Sequence, residues 1–163
     1  MRTSAAVLAT AGALAAGQLG LAGSASAASG PSAVQASPRA AVSGCPIDIV
    51  YPKRFYYDAH GNVTNGGLYF GIKSKTTRSI KKVTFTVTNT KNIRFKKATP
   101  TGGKITRRTT QSVSVYDKSL AGKAKLGFKV QTRLLNTRSF GVKFTLRGTG
   151  WNCSVNQGTW GPA

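Results

Sequence analysis

Glutamate is absent from this 163-residue chain, and aspartate occurs three times, at Asp48, Asp58 and Asp117. Histidine occurs once, at His60. General acid–base chemistry relies on paired titratable groups, so this supply argues against catalysis, and no catalytic residue is assigned. Only Asp58 and His60, two apart and so able to share a strand face, offer a candidate dyad. The segment Asp58-Ala59-His60-Gly61-Asn62 reads instead as a turn, in which Asp and Asn side chains bond backbone groups. No His/Cys/carboxylate cluster has the spacing of a metal site. No glycine-rich phosphate loop precedes a helix, and no cofactor is expected. Past the amino-terminal leader, no apolar run approaches the ~20 residues that a bilayer-spanning helix needs.

Cysteine is also scarce, with Cys45 and Cys153 near opposite ends of the presumed mature domain. The amino terminus explains how they are used. Met1-Arg2 forms a minimal positive region, Ala5 to Leu21 is almost wholly Ala, Gly, Leu and Val, and Ala25-Ser26-Ala27 is a small-residue cleavage motif. Residues 1–27 therefore read as a signal peptide; Gln18 and the Gly/Ser flank interrupt the run before it could anchor the chain. The long Ala/Gly-rich segment resembles signal peptides of GC-rich Gram-positive bacteria. In an oxidising compartment a pair of cysteines bracketing a domain reads as a disulfide. A loop of ~100 residues closed this way gains about 4.7 kcal/mol in the chain-entropy account. Val42-Ser43-Gly44-Cys45 also looks like a lipoprotein cleavage box, but it lies far beyond the apolar segment and would leave Cys153 unpaired.

What the chain has in excess is positive charge. Lys and Arg total 24 against the three acids, a net charge of +21, or +20 once Arg2 leaves with the leader. Such a surface repels itself and attracts polyanions. Export and charge together predict a secreted protein, associated with the cell wall or other anionic material.

Residues 28–44 are Ser, Ala, Pro and Gln with one charge, and read as a flexible linker. The domain is expected over 45–155, with a Gly/Pro-containing tail at 156–163. Within the domain, apolar residues recur with period two. Leu68-Phe70-Ile72, Val83-Phe85-Val87, Val113-Val115, Leu126-Phe128-Val130 and Phe140-Val142-Phe144-Leu146 alternate with polar residues or glycine. Shorter strands are expected at Ile47–Tyr51, Phe55–Tyr57, Ile93–Phe95 and Lys104–Thr109. The pattern predicts an all-β, antiparallel two-sheet sandwich of about seven to nine strands with one disulfide. Trp151 is expected to pack near that disulfide.

Val83-Thr84-Phe85-Thr86-Val87-Thr88-Asn89-Thr90 resembles the strand-and-turn of bacterial extracellular Ig-like modules of the CARDB and DUF11 type. Ser119-Leu120-Ala121-Gly122, ahead of the strand Lys125–Thr132, resembles their later turn. The resemblance covers about half of the domain. Lys91 stands where the family prefers Gly, and the charge departs from the family's habit. It implies an Ig-like sandwich and a non-enzymatic interaction unit.

The candidate contacts are basic. Lys125 and Lys129 fall on the polar side of one strand, and Lys143 and Arg147 on that of another. If those strands are neighbours, the four cations share one face. The pairs Lys81-Lys82, Lys96-Lys97 and Arg107-Arg108 widen the set. The run Tyr51-Pro52-Lys53-Arg54-Phe55-Tyr56-Tyr57 mixes cations with rings that could stack on bases or sugars, although strand core is the commoner role. The expected partner is an anionic polymer: cell-wall polymer, extracellular DNA or acidic glycan. Rival readings are a cationic secreted toxin or antimicrobial factor, a small secreted enzyme such as a nuclease using Asp58 and His60, and a protease-inhibitor-like protein. Oligomeric state and strand order stay open.

Overall fold

The computed structural model describes the backbone of residues 32–35 and 44–162, and side chains over residues 44–155. The predicted signal peptide and most of the predicted linker lie outside the described residues. No helix occurs among the residues described. The strands, in chain order, are β1 (Ser32–Gln35), β2 (Ile47–Val50), β3 (Arg54–Tyr57), β4 (Leu68–Ser74), β5 (Ile80–Lys91), β6 (Ile93–Thr101), β7 (Lys104–Arg108), β8 (Ser112–Leu120), β9 (Lys125–Leu134), β10 (Phe140–Gly148) and β11 (Trp151–Pro162).

These strands form two antiparallel sheets packed face to face. The smaller has four strands in the order β2-β4-β9-β6. The body of the larger is β11-β10-β5-β8-β7, which β1 and β3 extend beyond β11 to seven strands. All nine strands expected from the alternation are present. Of the two further ones, β1 lies where a linker was expected, and β11 begins within the expected domain and continues through the expected tail. β1 falls inside 28–44 and pairs with β3 and β11. β11 runs through the expected tail, pairing Asn156 with Lys143, Gln157 with Val142 and Trp160 with Phe140. Ladder hydrogen bonds there come from neighbouring strands, so a segment without a strand-like pattern of its own is drawn into the sheet.

The core follows the alternation closely. Val83, Phe85 and Val87 are fully buried, while Thr84, Thr86 and Thr88 between them are partly exposed. A cluster of rings joins the two sheets: Phe70 of β4 and Phe128 of β9 meet Phe85 of β5 and Phe144 of β10. Centroid separations are 5.8 Å for Phe70–Phe144, 5.9 Å for Phe85–Phe128 and 6.0 Å for Phe85–Phe144. Cys45, just before β2 in the smaller sheet, is disulfide-bonded to Cys153 of β11 in the larger, with 6.2 Å between Cα atoms. Trp151, close by on β11, is partly buried against the core. It borders a depression of about 660 Å3 with Pro46, the residue after Cys45.

Candidate anion-binding faces

The three acids are all engaged locally. Asp48 on β2 lies 3.4 Å from Lys75 Nζ. Asp117 Oδ1 accepts the Ser119 amide at 2.9 Å. Asp58 Oδ1 accepts the amides of His60 at 2.9 Å and Asn62 at 2.8 Å, and Asn62 Nδ2 donates to Asp58 Oδ2 at 3.1 Å. Hydrogen bonds from the side chain and backbone of Asn62, with a smaller one from His60, hold the Asp58 carboxyl below its ordinary range. Asp58 is thus the acceptor of a turn. Gly61 occupies that turn with φ of +75°, and any Cβ there would lie 2.4 Å from the Leu134 carbonyl oxygen. Among the described residues no group of three or more His, Cys, Asp or Glu side chains could hold a metal ion.

The aromatic run beginning at Tyr51 is mostly structural. The Tyr51 ring lies 6.0 Å from that of Phe144, and buried Phe55 sits edge-on to Phe140 at 5.7 Å. Tyr56 is the exposed ring of the run, at 44%.

The condition for Lys125, Lys129, Lys143 and Arg147 to share a face, that their strands be neighbours, is not met. β9, carrying Lys125 and Lys129, pairs with β4 and β6 in the smaller sheet. β10, carrying Lys143 and Arg147, pairs with β5 and β11 in the larger. The chain between β9 and β10 crosses from one sheet to the other, so strands consecutive in sequence are not neighbours. Since Phe128 and Phe144 both point into the core between the sheets, the cations on the alternate residues point away from each other. The sandwich therefore has two basic faces.

On the outer face of the smaller sheet, Lys73 of β4 stands opposite Lys125 of β9, and Arg94 of β6 opposite Arg133 of β9. Lys129 lies between Tyr69 of β4 and Thr99 of β6. The β6 register shifts between Phe95 and Ala98, where Lys96 and Lys97 form a bulge opposite Gln131. Lys96 Nζ donates to Asn62 Oδ1 at 3.1 Å. At the centre, Gly71 and Gly127 pair with each other and leave a bare strip of backbone. The Tyr69 ring lies across this strip: a Cβ on Gly71 would fall 2.3 Å, and one on Gly127 2.9 Å, from the Tyr69 hydroxyl oxygen. This partial burial pushes the Tyr69 phenol up. Tyr69, Lys73, Arg94 and Arg133 were not among the residues expected to bind. The cations are legible in the strand phase, whereas the placement of Tyr69 depends on Gly71, two residues on in its own strand, and on Gly127 across from Gly71.

The outer face of the larger sheet is tiled with hydroxyls. One row runs Ser154, Thr145, Thr86, Ser114 and Arg107 across β11, β10, β5, β8 and β7. The next runs Asn152, Arg147, Thr84, Tyr116 and Lys104. Lys143 stands opposite Thr88. Lys81 lies at the start of β5, its Nζ donating to Ser119 Oγ at 2.9 Å; Lys82, beside it, is exposed with φ of +52°. Arg108 is on edge strand β7 opposite Val113.

Fold and faces together define a disulfide-closed antiparallel β-sandwich with a basic outer surface on each sheet. Comparison with the known protein families and with curated proteins returns no match.

Proposed function

We propose that this chain is a secreted, non-enzymatic binding module of the extracellular Ig-like kind, holding anionic polymer against its basic faces, with cell-wall polymer, extracellular DNA and acidic glycan as the partner class. The carrying observation is the pairing of like charges across strands of the smaller sheet, Lys73 with Lys125 and Arg94 with Arg133. Like charges placed directly opposite destabilise a sheet. The one acid on this face, Asp48, stands opposite Lys73 and is ion-paired with Lys75. Asp58 and Asp117 serve their turns, which leaves the Arg94–Arg133 pair with no acid across the ladder. An anionic strand laid along the face would relieve that repulsion, and its released counterions would drive binding. Export supports the same reading through the leader sequence, and the disulfide is compatible with it.

The test is the salt dependence of binding to a duplex DNA oligonucleotide and to an anionic wall polymer. Affinity is expected to fall linearly on a log–log plot. Lys125→Gln/Lys129→Gln should make the duplex slope shallower by about 2, at about 0.9 for each phosphate left without its lysine. Binding that is absent, or indifferent to salt, would refute the proposal.

A further inference from the structure

We infer that the outer face of the larger sheet carries a discrete site for a tetrahedral oxyanion, a phosphate or sulfate group, held between Arg107 and Arg147 over a floor of hydroxyls. The two arginines, with Thr84, Thr86, Ser114 and Thr145, line one depression of about 350 Å3. Both guanidinium-bearing residues are exposed, Ser114 is buried at 6%, and the three threonines are partly buried. The site draws on four adjacent strands, β10, β5, β8 and β7, so rigid sheet rather than loop sets its spacing.

The backbone of β7 delivers one of the two arginines. Ile105 pairs with Val115, and the register then shifts, so that Arg107 rather than Thr106 stands opposite Ser114. A bulge of this kind re-aims a side chain at the cost of one unpaired residue. Arg147 arrives by ordinary alternation, two residues beyond Thr145 and directly across from Thr84.

The donor set suits an oxyanion. A guanidinium offers a planar fork of N–H donors that matches phosphate and sulfate oxygens two at a time. Thr86 Oγ1 and Ser114 Oγ are 2.8 Å apart, so one hydroxyl proton joins them and the other remains to donate outward. No carboxylate lines the depression. A cation would meet two positive groups there, and an apolar ligand would cover hydroxyls without matching them.

This inference deepens the polyanion reading and rests on it only for the source of the anion; a free ion tests the site alone. The secreted chain, disulfide intact, is titrated with sodium phosphate and separately with sodium sulfate, at an ionic strength held constant with chloride, and followed by amide NMR. Saturable shifts are expected at Thr84, Thr86, Ser114 and Thr145. Arg107→Gln/Arg147→Gln should weaken binding about tenfold or more, since both charged forks are lost. Lys125→Gln/Lys129→Gln removes the same charge from the opposite face and should leave it within about twofold. Arg107→Lys/Arg147→Lys keeps the charge, loses the forks, and should bind several-fold more weakly than wild type.

Equal weakening by the two Gln pairs, wild-type binding by the Lys pair, or unsaturable shifts over both faces would overturn the inference. A stronger response to phosphate or to sulfate supports it and points to the source, which a phosphodiester polymer and a sulfated glycan then compete to occupy. Free-ion binding without polymer binding would sink the polymer proposal and leave this one standing. Polymer binding without free-ion binding at the depression would do the reverse.

Discussion

Asp58, read from the sequence as a turn residue in preference to half of an Asp–His dyad, caps that turn in three dimensions. Its carboxylate is surrounded by donors from His60 and Asn62, at the surface, and those hydrogen bonds lower its pKa. A depressed carboxylate contributes stability above its unfolded pKa and loses it as pH falls through the folded value. Asp58→Asn is therefore expected to be less stable than wild type at neutral pH. The difference should close in strong acid, where both forms are neutral, and urea midpoints at about pH 7 and about pH 2 would measure it. A difference that persists unchanged in acid would show that shape rather than charge holds the turn. At the same scale, Tyr69 across Gly71 and Gly127 repeats an arrangement seen at Trp151, whose indole lies over Gly148, its hairpin partner. In each case a large ring covers backbone that a glycine leaves bare, and a β-carbon at the glycine would meet the ring.

Among the elements, β10 ties both sheets together. It pairs with β5 and β11 on its two edges. It sends Phe144 inward to touch Tyr51, Phe70 and Phe85, and turns Lys143 and Arg147 to solvent. Removing the Phe144 ring would leave a cavity between sheets that cannot close without moving strands. Phe144→Ala is expected to cost about 3–5 kcal/mol, read from denaturant unfolding with an unchanged slope. A loss under about 1 kcal/mol would mean that the sheets collapse into the space. The bulges in β6 and β7 work at this scale too. Each lies in a strand at the end of its sheet, where bulges and charge also discourage edge-to-edge pairing with another chain. The same irregularities place Lys96 and Lys97 on one face and Arg107 on the other.

At the scale of the whole molecule, the disulfide opposes the charge. All of the cationic side chains except Arg2 and Arg39 lie within the described domain, where their mutual repulsion favours expansion. The Cys45–Cys153 bond spans 108 positions and links the segment just before β2 of the smaller sheet to β11 of the larger. It limits how far the unfolded chain can expand. Cys45→Ser/Cys153→Ser is expected to lose about 2–5 kcal/mol of unfolding free energy. Thermal or urea unfolding of both forms at equal ionic strength would measure this. An unchanged midpoint would place the stability in the packed rings alone.

Much of this protein is legible in its residues taken in order. Period-two alternation marks nine strands and decides which side chains enter the core, because a strand sends successive residues to opposite faces whatever it pairs with. The lone cysteine pair states its own bond, and the acid shortage states the sign of the surface. Tertiary structure alone decided which cations share a face. Lys125 with Lys129, and Lys143 with Arg147, look equivalent along the chain, yet strand order sends them to opposite sides of the molecule. Arg107 and Arg147 come to line one depression through a one-residue shift in register and three intervening strand pairings, and β1 and β11 become strands because neighbours offer them hydrogen bonds. Alternation is local to each strand, whereas pairing joins residues far apart in sequence, and the arrangement of charge on each face follows from pairing.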